Sequence, residues 1–131
     1  MTTADPTSPA AFLSVCEASL ASLPAPMQSA AERVLIRVED FAAPEILADF
    51  GMTDLFALTG LYMGVSMLHE SVTFPSVESP MIFLYRKPIL AEWRERGDVA
   101  LDDLVAHVFI HELAHHFGWS DEEIDAVLDA G

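Results

Sequence analysis

The chain is poor in cysteine, in basic residues and in long apolar runs, and each shortage excludes something. Cys16 is the single cysteine, so no intrachain disulfide can form and nothing calls for an oxidising compartment. Lys and Arg number 6 against 21 Asp and Glu, giving a formal net charge of −15 at pH 7. A field of that sign repels phosphate backbones and anionic lipid, which disfavours nucleic-acid and membrane partners and favours metal cations and basic peptides. No stretch approaches the roughly 18 apolar residues that a bilayer span requires. The first residues offer Asp5 in place of a basic segment, and Glu17 interrupts the apolar stretch that follows. No signal peptide is therefore expected, and the expected location is cytoplasmic.

What is present suits a folded domain. Of the 131 residues, 52% are hydrophobic, enough to bury a core within one domain spanning 1–131. Only the polar, Thr-rich start at 1–7 is expected to be flexible. No internal repeat interrupts the rest.

Local signals give an alternating order of helices and strands. Ser8 before Pro9 reads as a helix cap and first turn, with Phe12, Val15, Cys16, Leu20 and Leu23 at helical spacing until Pro24 and Pro26. Residues 33–40 read as a strand with Val34, Ile36 and Val38 on one face. Pro44 opens a short helix that closes by Gly51, and 53–66 holds a second strand around Gly60 and Gly64. Residues 67–80 read as an exposed loop, 81–86 as a third strand, and Pro88 to Arg96 as a helix ending near Gly97. Asp98 can cap the next helix, whose apolar face is Leu101, Leu104, Val105, Val108, Phe109 and Leu113 and whose end is Gly118. Ser120 and Glu123 form a capping box for a last helix that turns Ile124, Val127 and Leu128 inward. The fold class is α+β, a small sheet packed against several helices.

The chemistry concentrates at residues 107–125. His111, Glu112 and His115 spell H-E-x-x-H, which sets two imidazoles on successive turns of one helix face with a carboxylate beside them. Imidazoles so placed can share a zinc ion, and the carboxylate can take a proton from water that the metal acidifies. A chain of this composition would show the pattern by accident about twice in a hundred. The context lowers that further, because Gly118 follows His115 by three positions and Asp121 follows by three more.

The extended run H-E-x-x-H-x-x-G-x-x-D resembles the metzincin motif, in which glycine turns the backbone and brings a third ligand to the metal. Asp121 stands in the third-ligand place, as in the aspartate-liganded zincins of the snapalysin type, and an aspartate oxygen is an acceptable zinc ligand. The stretches RVLIRVEDF, LTGLYMGVSM, MIFLYRKPIL and VFIHELAHHFGWSDEEI, covering roughly residues 32–125, resemble in the same order the blocks of a family of short, acidic bacterial proteins, the zincin-like metallopeptidases. That resemblance implies a minimal zincin fold with the H-E-x-x-H helix near the C-terminal end, and a peptidase activity without a defined substrate. The chain departs from metzincins in one respect. None of the ten residues after Asp121 is a methionine, so the methionine-containing turn beneath the metal is missing there and the comparison stops at ligand spacing.

Each candidate has a plainer reading. His111 and His115 also suit a helix C-terminus, where positive charge is welcome. Asp121 also suits the first turn of the last helix, with Glu122, Glu123 and Asp125 as competing oxygen donors. His116, turned about 100° from His115, is expected to be exposed or to support a ligand. His107 is expected to touch the core, and His69 has no evident partner. Tyr62 and Tyr85 read as strand packing before oxyanion donors. Trp119 either walls a cleft or covers the core.

The expectation is a zinc-dependent peptidase acting on a peptide or protein. One zinc is held by His111, His115 and Asp121, and Glu112 is the general base. The alternative is a zincin scaffold that binds metal without catalysis and serves as a protein-interaction module.

Overall fold

The computed structural model describes residues 5–64, 80–118 and 122. The expected loop at 67–80 apart from Pro80, the capping box and last helix, and the residues His69, Trp119, Asp121, Glu123 and Asp125 lie outside the described residues.

Helix α1, Pro9–Ala21, starts as its sequence dictates, with the Ser8 hydroxyl accepting from the Ala11 N–H at 3.1 Å. Pro24 and Pro26 end it as expected, but they also open a second short helix, α2, Ala25–Ala30. Proline in a first turn gives up only an N–H that has no helical partner anyway, so the residue that stops one helix starts the next. Residues 5–7 are tied down: Asp5 accepts from the Thr7 N–H and hydroxyl, and Arg86 bonds to the Thr7 carbonyl and, at 3.1 Å, to Asp40.

Three strands follow in the expected places: β1, Leu35–Glu39; β2, Gly60–Met63; and β3, Met81–Tyr85. Helix α3, Pro44–Asp49, lies between the first two. The sheet runs β1-β3-β2, with β3 parallel to β1 and antiparallel to β2. Tyr62 stands opposite Ile82, and Ile82 opposite Ile36. Period-two alternation therefore gives the sheet two unlike faces. Ile36, Val38, Ile82 and Leu84 join Phe12, Cys16 and the apolar side of the helix that carries Leu101 to Leu113 in the main core. Phe83, Tyr85 and Leu61 turn the other way, onto Leu47, Ala42 and Met52.

Helix α4, Arg86–Arg96, begins two residues before Pro88 and stops at Gly97. Helix α5, Leu101–His116, is capped by Ala100 rather than by Asp98. The reason lies in the connection, where the Val99 carbonyl accepts from the Trp93 indole at 3.0 Å and Val99 packs on the core, delaying the helix. Asp102 and Asp103 still put negative charge in its first turn. Every apolar residue expected on its inner face is buried. Large aliphatic and aromatic side chains contribute about 1.5–3 kcal/mol each when fully buried, so α5 is anchored along its whole length. No helix among the described residues is long and apolar enough to cross a membrane.

Candidate metal centre

His111, Glu112 and His115 all lie on α5, each half-buried. The spacing of four puts the two histidine rings over one another on successive turns, with centroids 5.1 Å apart and planes at 76°. An imidazole nitrogen about 2.1 Å from zinc places its ring centroid about 3.2 Å from the metal, so two rings at a tetrahedral angle have centroids about 5 Å apart. The observed separation fits a shared metal. Among the described residues no three His, Cys, Asp or Glu side chains gather closely enough to hold an ion. Asp121, the expected third ligand, is outside the described residues, while Glu122 is exposed.

The backbone around the pair is shaped to admit close approach. Gly60, at the start of β2, faces α5 so tightly that a Cβ there would lie 2.9 Å from Val108 Cγ1 and 3.2 Å from Glu112 Cγ. The strand can therefore run directly against the turn that carries Glu112. After Phe117 closes the helix, Gly118 takes φ 89°, a left-handed conformation that turns the chain out of the α5 axis immediately past His115.

Beside His111 and Glu112 opens a cleft of about 280 Å³, bounded by residues 57–60, by Glu92 and Arg96 of α4, and by His107 and Val108 of α5. Arg96 and Glu92 form an ion pair at 3.2 Å along its rim. His107 is exposed in this cleft, which corrects its expected place against the core. Position 107 falls beside the buried stripe that Leu104, Val105 and Val108 occupy, so its ring is left on the solvent side.

His116 is the larger correction. It is 4% exposed, the one polar or charged side chain buried among the described residues. Its Nδ1 lies 2.8 Å from the Tyr62 hydroxyl and its Nε2 3.1 Å from the Ala30 carbonyl. A 100° rotation from His115 predicts an exposed or ligand-supporting place, yet Leu113, Phe109 and Val105 precede His116 by three, seven and eleven positions and all are buried. That spacing puts it on the core stripe, a signal available in the sequence. Tyr62 correspondingly reaches across to the end of α5 rather than only packing within its strand.

Two buried groups are held protonated. Burial, with the Glu17 carboxylate adding to it, pushes the Cys16 thiol up to about 12. Burial, and then the carboxylates of Glu39 and Glu112, push Tyr85 up to about 12. The Tyr85 hydroxyl is inaccessible and has no hydrogen-bond partner among the described residues.

Comparison with known proteins gives one result that bears on this geometry. The profile of a family described as zincin-like metallopeptidase matches residues 31–129, from the start of β1 through the α5 motif and beyond. No curated protein matches the chain.

Proposed function

The chain belongs to the zincin-like metallopeptidase family, and from that premise we propose that it is a zinc-dependent hydrolase of peptide bonds whose centre is built on α5. The observation that carries the reading is the edge-to-face approach of His111 and His115, centroids 5.1 Å apart on successive turns of α5, with Glu112 next to His111 on the same helix. His111 and His115 supply neutral imidazole nitrogens, and Asp121 supplies the third ligand. A ligand set of three protein groups leaves one position for water or substrate, which is the pattern of a catalytic rather than a structural zinc. Zinc, when bound, supplies the Lewis acidity that polarises a carbonyl and acidifies water near neutral pH.

The remaining work falls to the protein's own groups. Glu112 accepts a proton from the attacking water and returns it to the leaving amine, a role that asks for a carboxylate next to the ligands and half shielded from solvent. Gly60 lets the β2 backbone lie against Glu112. As an outer strand of the described sheet, β2 offers an extended peptide a line of backbone partners leading to that carboxylate. The cleft beside His111, with its Glu92–Arg96 rim, receives a neighbouring substrate side chain. The acidic field of the chain draws cationic peptides toward it.

The test is a pair of measurements on tag-free protein. Glu112→Gln is expected to hold zinc as the wild type does and to lose hydrolysis of a peptide library by about 10²–10⁴-fold, the usual contribution of general acid–base catalysis. Undiminished turnover in that variant rejects the mechanism.

A further inference from the structure

A metal ligand at the end of a helix has a physical problem. The last carbonyls of a helix lack intrahelical partners, and helix ends are where local opening costs least. His115 is the second-to-last residue of α5, where only the bonds from the Phe117 and Gly118 N–H groups close the turn that carries it. Metal ligands must keep their geometry closely if affinity is to be high.

His116 meets that need from the next position. A carbonyl oxygen only accepts hydrogen bonds, so the 3.1 Å contact to Ala30 requires the proton on Nε2. Nδ1 of the neutral ring is then an acceptor, and the Tyr62 hydroxyl donates to it at 2.8 Å. One tautomer satisfies both bonds and fixes the ring in one orientation. The anchors are far apart in sequence: Ala30 ends α2, Tyr62 lies in β2, and His116 ends α5. The Phe117 ring packs near it, with centroids 5.7 Å apart. Any swing of the last turn breaks two buried hydrogen bonds at once, leaving polar groups that are costly to abandon.

We infer that the Tyr62–His116–Ala30 bridge is a positioning device for the metal centre. It pins the last turn of α5, and so fixes where His115 stands. His116 is accordingly a positioning residue and not a ligand. The inference rests on reading His111 and His115 as zinc ligands. What the bridge supplies is hydrogen-bond direction, beyond the filling of space.

Three variants separate these contributions: Tyr62→Phe removes one oxygen, His116→Phe keeps a ring without hydrogen bonds, and His116→Gln keeps one donor and one acceptor. Zinc affinity of the tag-free proteins is read by competition with a chromogenic chelator, alongside the melting temperature of the zinc-free forms and amide exchange at residues 113–118. Tyr62→Phe and His116→Phe are expected to bind zinc at least about tenfold more weakly and to exchange faster at the end of α5, while His116→Gln stays within about threefold of wild type. A purely structural role would lower melting temperature and leave the zinc affinity of the folded protein unchanged, and that result overturns the inference while the proposed function stands. Equal losses in His116→Gln and His116→Phe overturn it too, since packing would then be the cause. Should His116→Phe fail to fold, Tyr62→Phe decides alone. A wild type that binds no zinc rejects the reading beneath the inference, and the inference with it.

Discussion

Gly60 and Glu112 approach so closely that a single methyl on the glycine would lie 3.2 Å from the Glu112 Cγ. The strand beside the centre and the carboxylate within it are thus set by one contact, and that contact exists because position 60 has no side chain. The same methyl would meet Val108 Cγ1 at 2.9 Å, inside ordinary van der Waals distance. Val108 is a stiff, buried side chain on α5 with little room to yield.

Gly60→Ala is expected to destabilise the fold by about 1–3 kcal/mol, the range for overpacking. It also displaces the Glu112 turn, so hydrolysis falls further than stability does. Chemical denaturation and turnover on the same preparation check this, and a variant with wild-type values for both would show that the contact relaxes freely.

Metal removal should be visible as lost stability. With free zinc at about a hundred times Kd, binding to the native state adds about 2.7 kcal/mol. A chelator should abolish that increment in the wild type, and His111→Ala and His115→Ala should lack it from the start. Asp121→Ala should weaken zinc without eliminating it, and elemental analysis of the purified variants reads this directly. Full zinc retention in Asp121→Ala would transfer the third-ligand role to Glu122 or Asp125.

Tyr85→Phe is expected to stabilise the protein by about 1 kcal/mol, because it deletes a buried hydroxyl that has no partner among the described residues and keeps the ring. The ring stacks 6.1 Å from Phe83 and this contact is unchanged by the substitution. Denaturant midpoints of the two proteins, measured at neutral pH, give the sign.

Alkaline pH should unfold the chain. Cys16 ionises at about 12 in the fold against an ordinary 9.0, and Tyr85 at about 12 against 10.0, both chiefly through burial. These are acids whose folded pKa is raised, so the native state keeps protons that the unfolded chain gives up. Their stabilisation is complete below about pH 9 and is lost as pH climbs toward 12. Tyr85→Phe should remove the part that begins near pH 10, and Cys16 should resist thiol reagents until that unfolding starts.

Much of this was readable in the residues. The Ser8–Pro9 start, the alternation of Val34, Ile36 and Val38, and the six-residue apolar stripe of α5 are local patterns, and each appears in the structure as read. The two-histidine spacing is local as well, so its face-sharing followed from helix geometry alone. What escaped is what depends on distant segments. Asp98 looked like a cap until Trp93 claimed the Val99 carbonyl and moved the helix start. The partners of His116 lie 54 and 86 positions away, and no window of sequence brings them together. Its place on the buried stripe is nevertheless legible, because the helical period that aligns Val105, Phe109 and Leu113 includes position 116. The cleft walls from Glu92, Arg96 and residues 57–60 are likewise a product of packing α4 and β2 beside α5.

The central strand sets the order in which contacts can form. Within the described sheet, β1 and β2 each pair only with β3, the last of the three to be made. A growing chain therefore has no sheet until residue 85 has emerged, and α5, which lies against that sheet, comes later still. The turn of α5 that carries Glu112 therefore meets Gly60 of β2 only after all three strands have been made.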